Sequence, residues 1–339
     1  MADDEIQPRG APGRQVSKRV AQAVSRLLRL RPVELVMPIG GAIVARVHRL
    51  SGGRAGLIVL FHLVSDRQGD YRRELVSPLE RGLYERQLRH LRRHYDIVPL
   101  DELPAAVAAR RRGGRHPVSI TFDDDEPDNV VHALPALRAE NLTATFFLSG
   151  CWLDPNDQGV WWHDLQTAAD AGFDLRELVT GESDLFRVAS VIARLPPAER
   201  HSVSVRLREL AGARPRHGMS AKQAAELVRA GQSIGFHTRR HYSLPVLDDL
   251  ELEEALTQAR QELEELANSP LTTLSYPHGD ADERVTGAAR RHGFAVGVTC
   301  RRTAITPGTD PMLLGRVEIK GASLGEFVVQ VVRGLLSPG

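Results

Sequence analysis

The sequence predicts an α/β protein, a distorted (β/α)7-type barrel of parallel strands with an N-terminal helical extension and a helical insertion. Three observations carry this. Short apolar runs alternate with amphipathic helical segments along most of the chain, as parallel strands joined by crossovers require. About seven such runs are long enough to be core strands. The chemically interesting residues (His62, Asp123, Asp124, His237 and His278) all fall just after the runs. In a (β/α) barrel those strand ends share one face, where active sites sit.

Length and composition are compatible with this. The 339 residues suffice for one large barrel or two ordinary domains, and 42% hydrophobic with 26% charged residues is normal for a globular chain. A formal net charge of +1 points to neither nucleic acid nor an acidic polymer as partner. Two cysteines, Cys151 and Cys300, make no disulfide framework and fit a reducing compartment. Without a signal peptide or an apolar stretch of about 18 residues, a cytoplasmic location is expected.

Residues 1–55 read as a basic extension. From Arg14 to Arg54 there are nine Lys/Arg against one acidic residue, Glu34. Val20, Val24, Leu27 and Leu28 suggest a basic amphipathic helix there. It either packs on the barrel with its basic face in water or rests on an anionic membrane surface, giving peripheral membrane contact through residues 14–54. The barrel itself is expected over 56–320. Gly56–Val64 is a continuous apolar run, read as a buried first strand with His62 near its end. A helix over Leu79–His94 follows, then a strand at Asp96–Leu100 and a helix from Asp101. The helix contains His90-Leu-Arg-Arg-His94, two histidines with metal-ligand spacing. Four arginines nearby disfavour a dication, so this pair is expected on a solvated helix face.

Val118–Phe122 is a β-rich run that ends in Asp123-Asp124-Asp125. Three adjacent carboxylates at the exit of a buried strand need a bound cation or a proton, unless they form a solvated turn capping a helix from Asp128 or Asn129. Next come a helix over Val130–Glu140 and a strand over Thr143–Ser149. The indoles of Trp161 and Trp162 suit stacking on a sugar ring or plain core packing equally. Residues 174–216 are helical without motif residues and read as an insertion over one side of the barrel. Ser220-Ala-Lys-Gln223 is a capping-box start. A strand ends at His237, and His237-Thr-Arg-Arg-His241 puts two imidazoles four residues apart. One acidic helix is expected over Leu250–Asn268. A strand over Leu271–Tyr276 leads into Pro277-His278-Gly279, and the last strand falls within Leu313–Ile319. Residues 321–339 form a closing helix.

Three of these phrases together resemble the polysaccharide deacetylases, carbohydrate esterase family 4. Thr121-Phe-Asp-Asp124 is similar to that family's first motif, Thr-Phe-Asp-Asp-Gly, with Asp125 in the place of the glycine. His237-Thr-Arg-Arg-His241 matches the second motif, His-Ser/Thr-x-x-His. Ser275-Tyr-Pro-His-Gly279 is close to the third, with Ser275 where an arginine usually stands. Carried over residue by residue, the resemblance implies Asp123 as catalytic base and Asp124, His237 and His241 as ligands of one divalent ion. Zinc is expected, with Co²⁺, Ni²⁺ or Mn²⁺ fitting the same open two-His, one-carboxylate set. The resemblance further implies removal of acetyl from an N-acetylated amino sugar. The family's terminal Leu-x-His is absent, so His62 is the expected general acid and His278 the runner-up. Arg316 is the candidate to replace the missing arginine beside the base, or else a surface ion-pair residue. His278 and Trp162 are the candidate substrate contacts. Two other readings stay open: hydrolysis of a non-sugar amide or imide on the same fold, and a catalytically silent sugar-binding relative.

Overall fold

The computed structural model describes residues 53–153, 161–212 and 218–337. The basic extension lies almost wholly outside them. Ten strands and eleven α-helices follow in order. They are β1 (Leu57–Phe61), β2 (Val64–Ser65), β3 (Leu79–Glu80), α1 (Arg81–His94), β4 (Asp96–Ile97), α2 (Leu103–Ala109), β5 (Pro117–Phe122), α3 (Leu134–Ala139) and β6 (Thr145–Leu148). Then come α4 (Trp161–Asp170), α5 (Leu185–Ala193), α6 (Pro197–Ala211), α7 (Ala221–Arg229), β7 (Ser233–Phe236), α8 (Asp249–Thr257) and α9 (Arg260–Ala267). The chain finishes with β8 (Thr273–Ser275), α10 (Glu283–Arg291), β9 (Val296–Val298), β10 (Val317–Glu318) and α11 (Leu324–Leu336).

The main sheet runs β10-β1-β5-β6-β7-β8-β9, with β4 beside the start of β5, and every pairing in it is parallel. Leu314 bridges to Val298 while Val317 pairs with Val59, so the final segment joins the two edges of the curled sheet. The result is the expected distorted (β/α)7 barrel. Strands buried on both faces explain the unbroken apolar runs. Along β1, Leu57, Val59 and Phe61 face the helix layer while Ile58 faces inward with Phe147, Val298 and Leu314. The inward side of β5 is polar: Ser119 and Thr121 are buried there, and they lead up to the carboxylates.

Helices α4, α5 and α6 enclose a separate apolar cluster around Trp161, Trp162, Leu165, Ile192 and Leu207. Of these, α5 and α6 lie in the stretch 174–216 read as an insertion, and α5 packs over the strand-end face. The Ser220 capping box is present in full. Among the described residues, no helix is long and apolar enough to cross a membrane.

Two expectations are corrected. The acidic helix over Leu250–Asn268 is two helices, broken where Ala259 takes a left-handed conformation at φ 68°. The break lets Arg260 reach the carbonyls of His292 and Leu271, at 2.6 and 2.8 Å, and cover the ring of Phe294. Tertiary bonds thus override a sequence that could have stayed helical. The His90–His94 face is not solvated either. His90 is buried and meets Phe327 edge-on, because it lies on the same stripe as Leu83, Gln87 and Leu91.

Candidate active site

β5 delivers Asp123 and Asp124 at its exit. Asp124 and Asp125 both adopt left-handed backbone, at φ 78° and 47°. Asp tolerates that region better than most residues, which accounts for Asp125 standing where a glycine was expected. The three carboxylates then diverge. The Asp125 side chain turns away from the other two and accepts from Ser149 N at 2.9 Å, from Ser149 Oγ and from Cys151 N. Burial pushes its carboxyl pKa up, against those hydrogen bonds. Asp125 therefore fastens the loop after β6 and does not point its carboxyl at Asp123 and Asp124. The solvated, helix-capping turn is also ruled out: Asp123, Asp125 and Asn129 are buried, and Asn129 spends its amide on Val64 N and the His62 carbonyl.

Asp123 meets Arg316 in a bidentate pair, with Nη1 donating to Oδ1 at 2.8 Å and Nη2 to Oδ2 at 2.7 Å. Arg316 is 1% exposed, so it is no surface ion-pair residue. Its Nε donates to the Thr299 carbonyl, and Nη2 also reaches Ser275 Oγ at 2.9 Å. Ser275 Oγ in turn donates to Asp123 Oδ2 at 3.0 Å. Burial works against ionisation of Asp123, but the guanidinium and the nearby imidazoles override it and hold the carboxyl below its ordinary value. The serine in motif three is thus a hydrogen-bond link, and the guanidinium comes from the residue just before β10.

Asp124 Oδ1 lies 3.2 Å from His237 Nε2 and 3.4 Å from His241 Nε2. His237 Nδ1 sits 2.8 Å from the Ser275 carbonyl, which can only accept, so the proton is on Nδ1. In the neutral ring that leaves a lone pair on Nε2, which faces the carboxylate oxygen. Asp124 Oδ1 is buried and has no hydrogen-bond partner. Acceptors facing one another in a buried site need a cation between them, and one carboxylate with two imidazoles is a suitable donor set for a divalent ion. Among the described residues, this is the one group of three His, Cys, Asp or Glu side chains that converges in this way. The backing carbonyl of Ser275 is the kind of outer partner that orients a ligating histidine.

His62 stands at the rim, 27% exposed, with Nε2 3.8 Å from Asp124 Oδ2 and Nδ1 3.7 Å from Glu318 Oε1. Both distances exceed a hydrogen bond. His278, at φ 60°, packs its ring 4.5 Å from that of His241. Burial, with His241 and Arg200 nearby, holds its pKa well below the ordinary histidine value. Trp162 lies 4.7 Å from His241, ring to ring. All of these groups line one cavity of about 360 Å³, walled opposite the carboxylates by Phe186, Ala189, Ser190 and Ala193 of α5.

Three supports had no signal in the sequence. Glu126 pairs with His163 at 2.9 Å, tying α4 to the loop after β5. Phe186 and its neighbours on α5 supply the wall. Arg200 on α6 bonds the loop that carries His241. Each depends on where the insertion docks, which no local pattern encodes.

The polysaccharide deacetylase family model matches residues 110–177 and 198–297. Over 117 residues the chain is 25% identical to YxkH of Bacillus subtilis (strain 168), named as a polysaccharide deacetylase; the match takes in 33% of this chain and 42% of that relative. The chain thus spans less than half the length of this curated relative. The Streptococcus pyogenes deacetylase PplD, solved with acetate, superposes with a TM-score of 0.57 at 16% identity, covering 82% of this chain and 98% of that one. IcaB from Ammonifex degensii superposes at 0.53 and 19% identity over 84% and 98%. Those two structures share the fold. Both stretches of the family match bracket the wall helix α5 and hold all three converging ligand-type residues, and on this ground the chain belongs to the polysaccharide deacetylase family.

Proposed function

We propose that this chain is a metal-dependent hydrolase that removes acetyl from an N-acetylated amino sugar of a saccharide or glycoconjugate. The observation that carries the reading is the juxtaposition of Asp123, locked by Arg316, with the convergent lone pairs of Asp124, His237 and His241. A divalent ion held by those three would supply Lewis-acid polarisation of the acetyl carbonyl and of the attacking water. Asp123 takes the proton of that water. Its two oxygens are fixed by three donors, so it enters the reaction ionised and already oriented. The departing amine needs a proton, because an amide anion is a very poor leaving group. His62 is the donor we assign, since it stands on the cavity rim on the strand-end face, partly in solvent, close to Asp124. His278 is the weaker candidate, because its depressed pKa keeps it neutral. Trp162 and Phe186 give the sugar apolar surface to lie against.

The test measures release of acetate and free amine from N-acetylated amino sugars by the metal-loaded protein. Release abolished by chelation and restored by zinc is expected. His62→Ala should lose about 10²–10⁴-fold in kcat on an amide but much less on an aryl acetate, whose leaving group needs no proton. Equal losses on both would remove His62 from the role of acid. No turnover of any acetylated sugar would remove the function.

A further inference from the structure

We propose that Arg200 is a positioning residue for the metal site, holding the turn that presents His241. The proposal rests on the reading of His241 as a ligand. Arg200 lies in the first turn of α6 and is 6% exposed. Its guanidinium donates from Nη1 to the carbonyl of His241 at 2.6 Å and from Nη2 to the carbonyl of Arg240. The same group lies over Tyr242, with its central carbon 3.8 Å from the ring centroid. Three consecutive residues, Arg240, His241 and Tyr242, are thus held by one side chain.

The turn needs such a clamp. His237 is fixed at the end of β7, where its N–H bonds Leu148 and its ring bonds Ser275. The chain then passes through Thr238 at φ 53° and reaches His241 at φ 49°. Two non-glycine residues in the left-handed region persist when surrounding contacts over-determine them. Asp124 and Trp162 meet the His241 ring, but they act on the side chain and leave the peptide free to relax. The bonds from Arg200 act on the backbone itself. They are charge-assisted, and a planar fork suits two neighbouring carbonyls in a way that a lysine ammonium does not.

Arg200 also explains how the insertion can bear on the chemistry. The family match breaks off at 177 and resumes at 198, and the unmatched stretch carries the cavity wall of α5. α6 follows directly, so Arg200 fastens the element that shapes the cavity to the loop that carries a ligand.

The experiment compares wild type, Arg200→Ala and Arg200→Lys in the full chain. Affinity for Zn²⁺ is measured by competition with a chelator, and the site is followed through the visible spectrum of bound Co²⁺. Outer supports of metal ligands affect affinity by about 10–100-fold, and a loss in that range is expected for Arg200→Ala. Arg200→Lys should fall between, and added guanidinium ion should restore part of the Arg200→Ala loss. Thermal melting of the metal-free proteins separates folding from positioning. Lower melting with unchanged Zn²⁺ affinity and an unchanged Co²⁺ spectrum would make Arg200 merely structural and overturn the proposal. If Arg200→Ala does not fold, wild-type affinity in Arg200→Lys overturns it. A wild-type protein that takes up neither metal overturns the metal reading as well, so the two failures are told apart.

Discussion

His237 and His241 hold their rings 4.7 Å apart on the turn after β7; His90 and His94 hold theirs 4.5 Å apart on helix α1. Sequence spacing and ring separation are nearly the same in the two regions. Their surroundings differ. The first pair closes on Asp124, whose buried Oδ1 lies within 3.4 Å of both Nε2 atoms. Among the described residues, no group of three such side chains converges at the second. His90 faces Phe327, and its Nε2 is buried without a hydrogen-bond partner. Burial, helped by the charges of His94 and Arg93, holds its pKa down to about 4. Two imidazoles become a candidate ion site only where a strand end brings a carboxylate to meet them. On a helix face the same spacing leaves His90 packed and neutral.

The largest effect expected from breaking this contrast is on metal content. Asp124→Ala and His237→Ala should each leave the purified protein without stoichiometric metal and without turnover. His90→Ala should retain the wild-type ratio of metal to protein. Elemental analysis of the three beside wild type decides it, and undiminished metal in both site variants would refute the ligand assignment. The next effect is purely catalytic. Asp123→Asn keeps the size of the side chain and some of the bonds to Arg316 and Ser275, but it cannot take a proton at neutral pH. Turnover should fall by about 10²–10⁴-fold with metal retained. Activity within a few-fold of wild type would show that the base lies elsewhere.

The smallest effect sharpens the other side of the comparison. His90 in the folded state has a pKa below the unfolded histidine value of about 6.5. Between those values the unfolded chain binds more protons, so stability falls with falling pH. The contribution of His90 is fully present above about pH 6.5 and is lost as the pH drops toward about 4. Its size is on the order of 3 kcal/mol, from about 1.4 kcal/mol per pH unit. Chemical denaturation at pH 7 and pH 4.5 should show His90→Phe losing less stability than wild type over this interval. Equal losses would mean that His90 accepts its proton without cost in the folded state.

Much of this is legible in the sequence. Continuous apolar runs marked the buried strands, and the strand-end placement of Asp123, Asp124 and His237 needed only the order of elements. Arg316 was readable as a candidate because it lies beside the last strand, although nothing local told a buried bidentate partner from a surface charge. The kink at Ala259 was not legible, because its cause is a set of carbonyls on other elements that Arg260 must reach. The burial of His90 had a signal in the stripe Leu83, Gln87, Leu91, outweighed by the arginines around it. The direction of Asp125 depended on the Ser149 loop, 24 residues away. Residues 1–52, with the basic segment, lie outside the described residues.

The guanidinium that orients Asp123 belongs to the segment leading into β10, and β10 pairs with β1, the strand next to β5. Synthesis delivers the ligand-type residues by position 241, yet Arg316 emerges 75 residues later. A nascent chain that ends at β9 therefore holds the three converging side chains and Ser275, which donates one bond to Asp123, but lacks the guanidinium that makes the other two. The full clamp on Asp123 arrives with the segment before the final strand, where the two edges of the sheet meet. On the proposed function, closing the sheet is what sets the base, and loss of the last few elements to a protease would remove Arg316 while leaving Asp124, His237 and His241 in the chain.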